Sequence, residues 1–164
     1  MSNQSNQIVI DSSQSEIAEI RTNLVKNHRS LYSRKAFKAH SVVAEFGWTQ
    51  IHSKPSYLTV QISEKEHIEL VPTYLECINH SCDPNSFFDT TNKQLVSLKD
   101  IAVGEEITFF YPSAEWDMDQ IFQCDCRCSN CLGVIKGAKY LDDRCLKNYR
   151  FTDFIKQKLT SRGV

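Results

Sequence analysis

The chain has almost no net charge, no long apolar run and no internal repeat. Its 19 Lys and Arg stand against 20 Asp and Glu, a formal balance of -1 at pH 7. That balance offers neither a basic footprint for nucleic acid nor a polybasic anchor for a membrane surface, although a local acidic face able to recruit a basic substrate is compatible with it. The apolar run Ile8-Val9-Ile10 is too short for a signal-peptide core and follows no basic segment. With no export or transmembrane signal in view, the expected setting is a reducing intracellular compartment, cytoplasm or nucleus.

What is present suits one globular domain with tails. A length of 164 residues is enough to bury a single core, and 41% hydrophobic with 24% charged residues is ordinary for a folded chain. The seven cysteines are an odd number. Without a leader they read as thiols and metal ligands rather than as a disulfide framework.

Residues 1–15, rich in Ser, Asn and Gln, are expected to form a disordered polar tail. Short segments rich in β-branched and aromatic residues follow at 17–21, 31–34, 42–46, 57–63 and 67–71, separated by charged or turn-forming residues. In the clearest of them, Leu58, Val60 and Ile62 fall on one face and Tyr57, Thr59 and Gln61 on the other. Pro72 suits the start of a short helix through Cys77. Phe87-Phe88 and residues 94–98 read as a hairpin about Thr90-Thr91-Asn92-Lys93, and a strand over 107–111 ends at Pro112. Beyond Gly133 the β character fades, and residues 142–159 read as one or two helical pieces packed on the domain.

Three stretches carry chemistry. The stretch Asn79-His80-Ser81-Cys82-Asp83-Pro84-Asn85 reads as a polar turn, because its Asp-Pro-Asn interrupts both helix and strand. Gly104-Glu105-Glu106-Ile107-Thr108-Phe109-Phe110-Tyr111 follows, and then Phe122 leads into Cys124, Cys126, Cys128 and Cys131. Thiolates at this density favour a tetrahedral zinc site. In this order the three stretches resemble the SET-domain protein lysine methyltransferases with a post-SET zinc segment, over roughly residues 17–141.

The resemblance implies a mainly β fold, a β-clip of several short sheets with short helices and a C-terminal helical tail. It divides the chain into a SET domain at 16–121, a zinc segment at 122–141 and a C-terminal helix at 142–164. The implied activity is methyl transfer from S-adenosylmethionine to a lysine of a protein or peptide substrate, histone-tail-like by default, with no direct role for nucleic acid or membrane. Tyr111 takes the catalytic position. Asn79, His80, Ser30, Leu31, Tyr111 and Phe122 take cofactor-contacting positions, and Phe109, Tyr57 and Phe46 are assigned to the substrate channel. Phe109 stands where relatives carry Phe or Tyr, and lacking a hydroxyl it implies di- or trimethylation. The zinc ligands implied are Cys82, Cys124, Cys126 and Cys131, while a wholly local site using Cys128 is the alternative.

The chain also departs from the family. Its usual Gly-x-Gly is replaced by His28 and Ser30, which limits close backbone approach to a cofactor. Phe46 stands where many relatives have a tyrosine, with Tyr57 as a possible replacement; Glu76 replaces an arginine and Phe110 an acid. These changes favour a second reading, a catalytically inactive SET-like zinc-binding interaction module.

Overall fold

The computed structural model describes residues 8–13 and 15–162. Its strands run in chain order as Ile8–Asp11 (β1), Ala18–Asn23 (β2), His28–Ser33 (β3), Val42–Glu45 (β4), Gly47–His52 (β5), Thr59–Ser63 (β6), Glu66–Val71 (β7), Asn79–His80 (β8), Ser86–Asp89 (β9), Gln94–Ser97 (β10), Thr108–Phe109 (β11), Phe122–Gln123 (β12) and Val134–Ile135 (β13). Two helices follow, Asp143–Leu146 (α1) and Asp153–Arg162 (α2). They build small sheets with the orders β1-β2-β3, β5-β7-β6, β4-β10-β9-β11-β8 and β12-β13. The mainly β architecture with a C-terminal helix is the one the sequence leads one to expect. No described helix is long and apolar enough to cross a membrane.

Several details differ from the sequence reading. Residues 1–7 of the expected tail lie outside the described residues, but Ile8–Asp11 is an edge strand, paired antiparallel with β2 from Ile8↔Asn23 to Asp11↔Ile20. Three consecutive β-branched residues supply the strand propensity that the polar flanks conceal. β5 escapes the sequence reading because its Thr49, Gln50 and Ile51 are exposed and show no apolar alternation. The expected strand over 107–111 shortens to Thr108–Phe109, after which Tyr111–Ser113 turns into a single 3-10 turn.

The main core is formed where β3, β7, β9 and β10 turn Leu31, Ile68, Leu70, Phe88 and Leu95 inward, together with Ile107. Each fully buried aliphatic side chain contributes about 1.5–3 kcal/mol relative to exposure. The segment before β11 crosses the middle of this core. Ile107 N–H donates to Leu31 O at 2.8 Å, and β11 itself lies between β8 and β9, pairing in parallel with each through Thr108↔Asn79 and Phe109↔Ser86. A separate cluster of Phe110, Ala138, Phe151 and Ile155 docks the C-terminal helices.

β6 is the edge strand of its sheet, and Glu115 and Trp116 bond to Gln61 beside its free edge. Gln61 N–H donates to Glu115 Oε1 at 2.9 Å, and Gln61 Oε1 accepts the Trp116 N–H at 2.9 Å. Glu115 Oε2 is buried without a hydrogen-bond partner among the described residues. Burial pushes this carboxyl up to about 8 from 4.5, against the single N–H bond that favours its charged form. The folded chain therefore holds a proton that the unfolded chain releases, and stability falls as pH rises from about 4.5 to about 8. Glu115→Gln retains the acceptor and removes the titration. Its melting temperature is expected to exceed the wild type's above about pH 8 and to match it near pH 5; parallel pH profiles for the two proteins would refute the assignment.

Candidate active site and metal centre

A cleft of about 810 Å³ opens between β3, β8, β11 and the segment leading into β12, and Ser30, Asn79, His80, Glu106, Tyr111 and Phe122 lie on its walls. The 79–85 loop reaches it because its polar side chains are consumed in tying the loop to its neighbours. Asn85 Oδ1 accepts the Thr108 N–H at 2.9 Å, and Asn85 Nδ2 donates to Glu106 O at 2.8 Å. Ser86 Oγ donates to Thr108 O at 2.9 Å. Distant stretches of sequence are thereby held side by side.

Asn79 Nδ2 donates to Ser30 Oγ at 2.8 Å, to Arg29 O at 3.0 Å and to Glu106 Oε1 at 3.0 Å. Ser30, standing where a glycine was expected, thus adds a hydroxyl acceptor to the cleft wall. Tyr111 O–H donates to Ile78 O at 3.1 Å. Burial, and next the Glu106 carboxylate, push the Tyr111 phenol well above its ordinary value, so it remains a donor. The rings of His80 and Phe122 stand edge-on to Tyr111 at 5.3 and 5.9 Å, and Phe109 lies 4.7 Å from it on the core side.

Other predicted residues are placed elsewhere. Leu31 turns its side chain into the core, fully buried, because strand alternation gives Ser30 and Tyr32 to the cleft. Phe46 is also a core residue, edge-on to Phe88 at 5.5 Å, and Phe88 in turn packs on Phe109 at 4.8 Å. It reaches Tyr111 only through those rings. Tyr57 is 72% exposed and lines no part of the cleft. Its strand starts two residues later than expected, because Thr59 folds back on Ser56 through Ser56 N–H to Thr59 Oγ1 at 2.9 Å. The structure therefore gives Tyr57 no role in replacing the hydroxyl missing at Phe46.

Beside the cleft, the sulfurs of Cys82, Cys124, Cys126 and Cys131 all lie within 4.8 Å of one another, with Cys82 and Cys124 4.0 Å apart. A tetrahedral zinc with bonds of about 2.3 Å holds its sulfurs about 3.8 Å apart, so donor type and spacing suit that ion. Cys128 falls outside the group, with its sulfur 3.6 Å from Ser81 Oγ. Burial pushes the Cys82 thiol up strongly and the Cys124 thiol up to about 11. Burial also opposes ionisation of Cys126, but N–H donors from Cys128 and Cys82 outweigh it and bring that thiol down to about 6. Four thiolates this close repel one another, and a bound cation relieves the repulsion.

His80 joins the two features. Its Nδ1 accepts the Tyr111 N–H at 3.2 Å, and burial pushes its pKa down to about 4. A neutral ring with Nδ1 as acceptor carries its proton on Nε2, which lies 3.3 Å from Cys82 Sγ. Leu132 N–H points at the same sulfur from 3.4 Å. Both donors favour a thiolate at Cys82, as a metal ligand requires.

Sequence reasoning missed Glu106, Tyr32 and Tyr149. Glu106 and Tyr32 form an isolated bridge on the cleft wall. Tyr149 O–H donates to Cys82 O at 2.9 Å while its ring stacks on Phe110 at 3.7 Å. The substitution of Phe110 for the acid usual there was the available signal, since an aromatic at that position needs a covering partner.

Residues 6–112 match the SET domain family. Methyltransferase flvH of Aspergillus flavus is 39% identical over 113 residues, which cover 68% of this chain and 63% of that protein. Histone-lysine N-methyltransferase Set2 of Drosophila melanogaster is 42% identical over 72 residues, 40% of this chain and 3% of its own length. Histone-lysine N-methyltransferase set9 of Schizosaccharomyces pombe is 39% identical over 67 residues, 39% of this chain and 14% of its own. The chain thus spans less than two thirds of the length of the curated relatives it matches.

Proposed function

The chain belongs to the SET-domain family, and from that premise we propose that it transfers methyl groups from S-adenosylmethionine to the side-chain amine of a lysine in a protein, histone-tail-like by default. The observation that carries the proposal is the convergence of Asn79, His80, Tyr111 and Phe122 on one cleft beside the four-thiol cluster. Side chains from three separate stretches of sequence meeting in one cavity is what a preorganised site needs.

In this reading S-adenosylmethionine supplies an activated methyl group on a positively charged sulfur. Asn79, His80 and Ser30 hold the polar parts of the cofactor, and Phe122 covers it from the zinc segment. Cys82, Cys124, Cys126 and Cys131 hold a structural zinc that joins the 79–85 loop to that segment. A free lysine has a pKa of about 10.4 and is mostly charged at neutral pH. Burial beside the cationic sulfur favours its neutral, nucleophilic form, and Tyr111 O–H orients it. Residues 16–121 act as the catalytic domain, 122–141 as the zinc segment and 142–164 as a brace on the domain.

Calorimetric titration with S-adenosylmethionine and S-adenosylhomocysteine should show binding to the zinc-loaded protein that Asn79→Ala loses. Intact-mass analysis of methylated peptides should then reveal di- and trimethyl products, because Phe109 offers no hydroxyl to hold a water against a methylated amine. Monomethyl product alone at long times refutes that degree of methylation. A folded, zinc-loaded protein that binds neither ligand supports the interaction module instead.

A further inference from the structure

We propose that the Glu106 carboxylate is the counter-charge for a cation in the cleft, and that it sets a preference for the sulfonium form of the cofactor over its neutral thioether product. The inference rests on the reading of this cleft as the S-adenosylmethionine site, and deepens it by naming the residue that discriminates the two charge states.

Glu106 is fixed from two sides. Its backbone bridges to Tyr32, and its Oε1 accepts the Asn79 amide at 3.0 Å. The side chain lies on the cleft wall with Asn79, His80 and Tyr111. None of the ion pairs among the described residues includes it. Arg21, a basic side chain on the same cleft, is engaged otherwise: its guanidinium pairs with Glu19 at 2.8 Å and covers the Tyr32 ring at 4.0 Å. The groups nearest the carboxylate are the Asn79 amide and the Tyr32 and Tyr111 phenols, while Lys26 and His28, which also line the cleft, form no ion pair with it among the described residues.

The Glu106 charge also reaches the proposed reaction point. After burial, it is the next largest influence raising the phenols of both Tyr32 and Tyr111. A fixed carboxylate without a basic partner, in a partly desolvated cleft, attracts a cation more strongly than the same group does in water. S-adenosylmethionine carries one positive charge on sulfur that S-adenosylhomocysteine lacks. A counter-charge here therefore favours substrate over spent product, which aids exchange after each transfer.

The test is calorimetric titration of the zinc-loaded protein with each ligand. Glu106→Gln retains an oxygen acceptor for Asn79 while removing the charge. Its affinity for S-adenosylmethionine is expected to fall about tenfold or more, and for S-adenosylhomocysteine less than about threefold. Glu106→Asp, which retains the charge, should retain the preference. Equal losses for both ligands would assign Glu106 to bracing Asn79 alone and overturn the proposal, as would no change for either. If the Gln variant does not fold, the wild type at rising ionic strength reads the same effect: a preference that shrinks with salt supports the proposal, and one that does not overturns it. Wild-type protein that binds neither ligand removes the cofactor reading itself, an outcome distinct from binding without discrimination.

Discussion

Chelation of zinc is expected to abolish cofactor binding and turnover while most of the β structure survives. The main hydrophobic core contains none of the four clustered cysteines. Those cysteines belong to a separate cluster in which Cys82, Cys124 and Ile135 pack with Tyr111, Met118 and Phe122. Structural zinc binding is worth about 10–16 kcal/mol in small domains, so its loss must release this cluster, and the crowded thiols add repulsion of their own. What is released is one wall of the cleft: Phe122 leaves Tyr111 and His80, and the His80 bond to Cys82 is lost. Leu31, Ile68, Leu95 and Ile107 remain buried elsewhere. A chelator titration followed by calorimetry and far-ultraviolet circular dichroism separates the two events, and their coincidence would count against this account. Cys82→Ser should reproduce the loss, whereas Cys128→Ser should leave zinc stoichiometry unchanged. The reverse pattern would move the ligand set to the local alternative.

The legible parts of this chain were those in which a side-chain type states its own chemistry. Four cysteines within eight residues announce a metal centre, and Asp83-Pro84-Asn85 announces a loop. The choice between Cys82 and Cys128 was not legible, because it depends on where the 79–85 loop lands once the chain between Cys82 and Cys124, 42 positions apart, has folded. In the structure Cys82 lies within the sulfur cluster and Cys128 turns toward Ser81, an arrangement that favours Cys82 by distance. Glu106 was read only as part of a motif string, since nothing in sequence says that a carboxylate will meet an amide 27 positions away. Tyr57 shows the converse: alternation placed it inside the strand 57–63, but a local turn starts that strand at Thr59 and leaves Tyr57 outside it and away from the cleft.

Tyr111→Phe is expected to lower turnover by about a hundred- to a thousandfold, the scale of losing one preorganised polar group from a reaction site, with cofactor affinity nearly intact. The substitution leaves the ring where it is, against His80, Phe109 and Phe122, and removes one hydrogen bond, to Ile78 O. The stability cost should therefore stay near about 1 kcal/mol. The hydroxyl does not act as a base, because burial and the Glu106 charge hold it protonated at working pH. In the proposed reaction its contribution would be a fixed dipole, oriented by Ile78 O, that aligns the amine with the methyl group. It follows that the variant should keep the shape of the wild-type pH-rate profile. In the proposed reaction the rise with pH would belong to deprotonation of the substrate lysine, which both proteins share. Turnover measured across pH, beside calorimetry and thermal melting, tests all parts together. Activity within a few-fold of wild type would remove Tyr111 from the reaction site, and a changed pH profile would return it to the role of a titrating base.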